Sequence, residues 1–178
     1  ASHYDIRNSD GKCIFYVSIR LRGIALRLSK ESLIIAESSK PFLSRDIGIC
    51  LEDLEDPKVK RFGEMKREGI IVPNYSWAMI PSGENGGQDL RLRWIRMLPR
   101  NYQLLDMRNG DLLATFTSDI GFRTCGILQV NKSYERDFEL MVLTTFMTLY
   151  ELAGRKTHVI WEVDRSTLFN KRLKHAVI

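Results

Sequence analysis

The chain has 178 residues, 44% hydrophobic and 28% charged, a balance that excludes a disordered protein and fits one globular domain of ordinary size. Its 27 Lys and Arg exceed its 22 Asp and Glu by five, which permits an anionic partner without requiring one. Three widely spaced cysteines disfavour a disulfide framework, and the lack of an apolar run of about 18 residues disfavours a transmembrane helix.

The first third of the chain predicts consecutive β-strands. Residues 12–20 (KCIFYVSIR) are rich in β-branched and aromatic side chains, and Asp10-Gly11 before them is a turn signal. Short apolar runs follow at residues 24–29, 32–37 and 46–51. The short spacing of the three runs up to residue 37 predicts an antiparallel meander, and residues 46–51 fit a further strand.

Residues 52–69 carry alternating acidic and basic blocks without a clear hydrophobic period. Pro57 fits the first turn of a short helix, with the preceding acidic residues near the positive end of the helix dipole. The polar composition fits a loop equally well. Helix and loop therefore both stay open for this stretch.

Strand-like character returns in the second half of the chain. Residues 90–97 alternate strictly, with Leu90, Leu92 and Trp94 on one face and Arg91, Arg93 and Ile95 on the other, where the arginines face solvent or a ligand. Residues 102–118 (YQLLDMRNGDLLATFTS) place two apolar runs around Asn-Gly, which predicts a hairpin closed by a two-residue type I′ turn. A further strand is expected at residues 122–130.

The pattern then changes to that of a helix. Residues 137–153 contain no Gly or Pro, and their apolar side chains cover nearly the whole circumference of a helix. Such a helix must be enclosed, and this one is too short and too polar for a membrane span. We therefore predict a mainly β (α+β) fold, a closed or nearly closed antiparallel β-barrel around one central hydrophobic helix at about residues 137–154. A strand at residues 157–163 and a basic segment follow.

Three segments in this order resemble a known group of proteins. The hairpin LLDMRNGDLLATFTS, the strand GILQV and the helix ERDFELMVLTTFMTLYELAGRK resemble the closing section of the tubby C-terminal-like superfamily. That superfamily holds tubby domains, LURP-one-related proteins, phospholipid scramblases and uncharacterised fungal proteins, and the fungal members are the most similar. The resemblance spans residues 90–156 and implies a β-barrel threaded by one hydrophobic helix. In several relatives the chain ends near that helix, so the packing of residues 157–178 stays open.

Catalytic and metal-binding patterns are not recognised in this sequence. His3, His158 and His175 lack ligand spacing to another His or Cys, and the glycines of residues 83–87 are not followed by the Lys-Ser or Lys-Thr of a phosphate loop. The acidic cluster of residues 52–56 is typical of a solvated face. We therefore expect no enzymatic activity, no metal and no cofactor.

Basic residues are the best candidates for a binding site. Tubby domains bind phosphoinositides through Lys and Arg on the barrel surface, so the resemblance implies a non-enzymatic module for anionic phospholipid head groups or a membrane surface. Arginine and lysine hold phosphates by charge-assisted hydrogen bonds. The candidate residues are Arg91, Arg93, Arg96, Arg100, Lys171, Arg172 and Lys174.

Other interpretations remain open. The same basic residues are also typical of a solvated surface, and Trp94 of core packing. A protein–protein interaction, signalling or host-interaction (effector-like) module without a lipid ligand is the alternative function, with loops or a barrel edge as the contact. Nucleic-acid binding has no recognised reading element in its favour.

The expected organisation is a barrel domain at residues 1–164 followed by a basic C-terminal segment at residues 165–178. We expect a cytoplasmic protein that contacts a membrane peripherally. The chain opens Ala-Ser-His without Met, so secretion also stays open.

Overall fold

Eleven consecutive strands form an antiparallel meander, in which each strand pairs with the next one along the chain. The structure, a computed structural model, describes residues 3–8, 10–52, 60–69, 74–80, 89–97, 101–118, 126–132, 134–153, 160–162 and 176–177. The strands are β1 His3–Arg7, β2 Cys13–Arg20, β3 Gly23–Arg27, β4 Ile34–Ser39, β5 Ile47–Glu52, β6 Lys60–Glu68, β7 Asn74–Met79, β8 Leu90–Arg96, β9 Tyr102–Asp106, β10 Leu112–Ser118 and β11 Gly126–Val130.

The described residues also form one helix and two short strands. Helix α1 spans Arg136–Leu152, β12 spans Ile160–Glu162 and β13 spans Ala176–Val177. Strand β12 pairs in parallel with β1, and β13 pairs antiparallel with β11. The mainly β, antiparallel architecture with one helix packed against the sheet is thus confirmed.

The prediction that α1 is covered on all sides is confirmed. Every residue from Phe138 to Tyr150 is buried. Side chains from opposite ends of the meander reach the same part of the helix, since the Tyr150 ring lies 6.2 Å from that of Tyr4 on β1 and 5.8 Å from that of Phe116 on β10. The sheet therefore curves around α1. No helix in the described part of the chain is long and apolar enough to cross a membrane.

Closure of the barrel depends on pairing between the two edge strands of the sheet. The hydrogen-bonded strand order runs from β12 at one edge to β13 at the other. Within the described residues no strand pairing joins these two edges, so a closed barrel stays a prediction.

Residues 60–68 correct the expectation of a helix or loop at 52–69, because they form the nine-residue strand β6. The sequence of β6 shows no alternation of apolar and polar residues, because Met65 is the only buried residue of the strand. Towards α1 the strand presents Arg61, which forms an ion pair with Asp137, and Gly63, whose Cα lies beneath the Met141 side chain. Pairing with β5 over Lys60–Met65, and not its own hydrophobic pattern, holds this segment extended. Residues 53–59 lie outside the described residues.

The hairpin of β9 and β10 is confirmed, but the two-residue turn is wrong. Residues 107–111 separate the strands. The Asp106 N–H donates to the Asp111 carbonyl at 2.9 Å, and the Gly110 N–H donates to the Asp106 carbonyl at 2.8 Å. Gly110 has φ +76°, the left-handed conformation that favours glycine. The Asn-Gly pair therefore lies within a longer loop.

Two further predictions concern β8 and the C-terminal segment. In β8 the residues Leu90, Leu92 and Trp94 are buried and Arg91 is exposed, as the alternation predicts. The segment of residues 163–175 lies outside the described residues, and with it the predicted domain boundary after residue 164.

Candidate functional site

Two of the predicted binding residues lie together on the outer face of β8. Arg91 and Arg93 alternate with the buried residues of the strand and so point away from α1. Each faces a carboxylate: Arg93 Nη2 lies 2.6 Å from Glu68 Oε2 on β6, and Arg91 Nε lies 3.8 Å from Asp89 Oδ2. These partners offset much of the positive charge that the sequence placed here.

A shallow groove of about 860 Å³ runs beside these arginines. Its other charged lining residues come from β6, from the residue before β8 and from the β9–β10 loop, and they carry both signs: Glu64, Lys66, Glu68, Asp89 and Arg108. Arg108 also donates to the buried carboxylate of Asp106, with Nη2 at 2.6 Å from Oδ2, and these bonds lower the pKa of Asp106. The groove is therefore a mixed-charge surface and not a dedicated anion site.

Arg96 does not join Arg91 and Arg93. Its position in β8 gives it the parity of Leu92 and Trp94, on the face that turns towards α1. It lines a separate cavity of about 190 Å³ with Tyr75, Tyr102 and the helix residue Leu152. Of the seven predicted residues, the structure thus brings two together and sets a third apart. Arg100, Lys171, Arg172 and Lys174 lie outside the described residues.

A second surface, absent from the sequence-based candidates, lies at the end of the sheet where α1 ends. Alternating strand directions put the β2–β3 turn and the β4–β5 loop at this end. The Lys40 N–H donates to the Arg22 carbonyl at 2.7 Å, which joins the two connections. Gly23 makes this approach possible, because a Cβ there would meet the Ser38 carbonyl oxygen at 1.9 Å.

These two connections expose large apolar side chains to an unusual degree. Leu21 is 96% exposed, Phe42 78% and Leu43 92%. The guanidinium carbon of Arg22 lies 4.5 Å from the centre of the Phe42 ring, a cation–π contact. We call this surface the loop-tip patch; it comprises Leu21, Arg22, Lys40, Phe42, Leu43 and Arg45.

The charge of the loop-tip patch is of one sign. Residues 21–22 and 40–45 contain three basic residues and no Asp or Glu. The nearest acidic residues have other partners: Glu37 accepts from Arg20 at 2.7 Å, and Asp46, the last residue of the β4–β5 loop, accepts from the Arg67 N–H at 3.0 Å. The three basic residues outnumber Asp46, so the surface keeps a positive charge. Apolar tips with basic neighbours fit an anionic, partly apolar surface.

The sequence contained one signal for this patch. Pro41-Phe42-Leu43 is an apolar tripeptide inside an otherwise polar segment that separates two apolar runs. Apolar residues in a loop carry little meaning alone, because scattered exposed hydrophobics are normal. Their adjacency to Leu21-Arg22 appears only once the strands are paired.

A third feature is a gap between β6 and β7. These strands pair over Lys66–Glu68 and Asn74–Ser76, while in the described part of the chain the earlier residues of β6 pair only with β5. The strands diverge there around a cavity of about 420 Å³, which has Met141 of α1 among its lining. Phe62 and Ile80, which also line it, are 79% and 69% exposed.

Comparisons with known proteins found no matching family model, no matching curated protein and no matching solved structure. Among the residues that the structure describes, no three His, Cys, Asp or Glu side chains are grouped so that they could hold a metal ion.

Proposed function

We propose that this chain is a non-enzymatic binding module that docks peripherally on an anionic phospholipid surface. The observation that carries the proposal is the loop-tip patch, where three exposed apolar side chains stand among Arg22, Lys40 and Arg45 without an acidic residue. Each basic residue near an anionic membrane contributes about 1 kcal/mol of adhesion. A cytoplasmic location follows from this proposal, because the cytoplasmic leaflet carries the anionic lipids.

The proposal moves the main contact away from the predicted arginines of β8. Arg91 and Arg93 have carboxylates within 4 Å, so they attract an anionic surface less. Arg96 is better placed, since β8 ends at the same end of the sheet as the loop-tip patch. We assign it a supporting role there.

We also propose that the curved sheet closes into a barrel of the tubby C-terminal-like type. Two facts support this: rings from β1 and β10 contact the same helix residue, Tyr150, and the order of hairpin, strand and buried helix resembles that superfamily. The lipid proposal does not depend on this assignment, because the loop-tip patch involves only β2 to β5.

Vesicle co-sedimentation tests the proposed function. The protein should bind vesicles of phosphatidylcholine mixed with phosphatidylserine, and binding should weaken as salt is raised. The triple variant Arg22→Gln, Lys40→Gln and Arg45→Gln should bind about a hundredfold more weakly, from three contributions of about 1 kcal/mol each.

The matched control removes the same charge from the mixed-charge groove, through Lys66→Gln, Arg91→Gln and Arg93→Gln. It should keep most of the binding. Equal retention of the wild type by neutral and anionic vesicles, or equal loss in both triple variants, would contradict the proposal.

A second candidate function is protein–protein interaction, and the gap between β6 and β7 favours it. Diverging strands leave a β-strand edge, and such edges are common sites for the addition of an extended segment from another protein. The exposed Phe62 and Ile80 line this gap. Association with a protein that salt does not weaken, and that Phe62→Ser abolishes, would favour this function over lipid binding.

A further inference from the structure

We infer that Leu21, Phe42 and Leu43 insert into the apolar boundary of the bilayer, so that the module recognises loosely packed anionic membranes and not charge alone. This inference rests on the proposed function and deepens it. Adsorption by basic residues needs no apolar contact, so the two statements can fail separately.

The exposure of these side chains is the first argument. In the described residues, Leu21, Leu43 and Phe42 are among the most exposed large hydrophobic side chains. They do not lie singly, as exposed apolar residues usually do, because a backbone hydrogen bond and a cation–π contact join their two connections. Removing such a patch from water requires an external apolar phase.

The position of the patch is the second argument. The β2–β3 connection is only two residues long, since Arg20 pairs with Gly23 and leaves Leu21 and Arg22 at the turn. The Lys40–Arg22 hydrogen bond holds the longer β4–β5 loop beside it. The tips are therefore presented on a rigid support, and insertion does not require a strand to unfold.

The charges identify the apolar phase as an anionic bilayer. Basic side chains flank the apolar tips, and their long stems allow the charge to stay among the head groups while the neighbouring side chains go deeper. Arg22, which stacks on Phe42, would exchange that ring for a phosphate oxygen on insertion. Interfacial segments of this kind lie about 5–10 Å into the boundary between head groups and acyl chains.

Insertion has a consequence that adsorption lacks. Binding should be stronger on small, highly curved vesicles than on large vesicles of the same composition, because packing defects admit apolar side chains more readily. High salt should remove only the part of the affinity that depends on charge.

The deciding experiment uses Phe42→Trp in the full chain, with vesicles of phosphatidylcholine and phosphatidylserine that carry brominated acyl chains. Wild type, which carries Trp77, Trp94 and Trp161, is measured alongside, so the quenching in excess of wild type reports on position 42. The matched control is Leu33→Trp, at a site 71% exposed on the β3–β4 connection at the opposite end of the sheet. We expect strong quenching at position 42 and none at position 33.

A double variant, Leu21→Ser with Leu43→Ser, keeps every charge. It should bind anionic vesicles at least roughly tenfold more weakly than wild type, since two leucines lose their apolar contact. Co-sedimentation with no quenching at position 42 would overturn insertion and leave the proposed function intact. Absence of co-sedimentation with anionic vesicles would overturn both.

Discussion

Helix α1 and the loop-tip patch are both rich in apolar side chains, yet their surroundings are opposite. In α1, Phe146 is fully buried against the rings of Phe116, Trp94 and Tyr102, at centroid distances of 4.5, 5.5 and 5.8 Å. In the loop-tip patch, Phe42 is 78% exposed and its ring contact is with a cation. One phenylalanine is covered by the chain itself and the other is not.

This contrast shows how an apolar side chain should be interpreted. Within α1 the apolar residues surround the helix, so the only stable arrangement encloses it, and burial there stabilises the fold. In the connections the apolar residues contribute nothing to the core, and their neighbours are basic. Such residues are more informative about what binds the protein than about how it folds.

The largest expected effect on stability comes from a substitution in α1, where the apolar side chains are buried. Phe146→Ala should lower the free energy of unfolding by about 3–5 kcal/mol, because it removes a ring from the packed aromatic cluster and leaves a cavity. Phe42→Ala, the same substitution in the patch, should change it by no more than about 0.5 kcal/mol. Urea unfolding followed by circular dichroism measures both. Similar losses for the two variants would show that the patch belongs to the core.

A smaller effect is expected from a buried polar contact between α1 and the sheet. The Trp94 indole N–H donates to the Thr145 hydroxyl at 2.9 Å, and both residues are buried. Thr145→Val keeps the shape but leaves the indole donor without this acceptor, which should cost about 1–3 kcal/mol of unfolding free energy. Thr145→Ser keeps the hydroxyl and should lose less, and a greater loss for Ser than for Val would argue against this role of the hydrogen bond.

The smallest effect concerns Asp106, a carboxylate on a buried position beside the exposed β9–β10 loop. Hydrogen bonds from Arg108 lower its pKa below the ordinary value of 3.8. Since the folded-state pKa is the lower one, the stabilisation is fully present above the ordinary pKa and is lost as the pH falls through the lowered pKa.

Unfolding free energies of wild type and Asp106→Asn, measured from neutral pH into the acid range, check this. The advantage of the wild type should be constant above about pH 5 and shrink as the solution becomes more acidic. A difference between the two proteins that grows on acidification would reverse the assigned direction.

Hydrophobic period and turn residues were enough to locate most of the elements. The alternation at residues 12–20 and 90–97 corresponds to β2 and β8, and the apolar circumference of residues 137–153 corresponds to a helix that is buried along its length. These predictions succeed because each pattern has a direct physical cause in the side-chain period of strands and helices.

The strand β6 and the arrangement of charges required the folded molecule. Lys60–Glu68 is mainly polar on both faces, so its extended form follows from pairing with β5 and from the contact of Arg61 with Asp137 of α1. The same limit applies to the candidate site, because a cluster of arginines in sequence does not reveal that Glu68, two strands away on β6, lies 2.6 Å from Arg93.

The local patterns of this chain thus specify most of the strands, though not β6, and the segment that must be enclosed, since those properties depend on neighbours a few residues apart. The environment of each charge and the contact of Arg22 with Phe42 depend on residues far apart in the chain. Those contacts exist only after the meander has formed, and they turn an ordinary loop into the surface for which we propose a function.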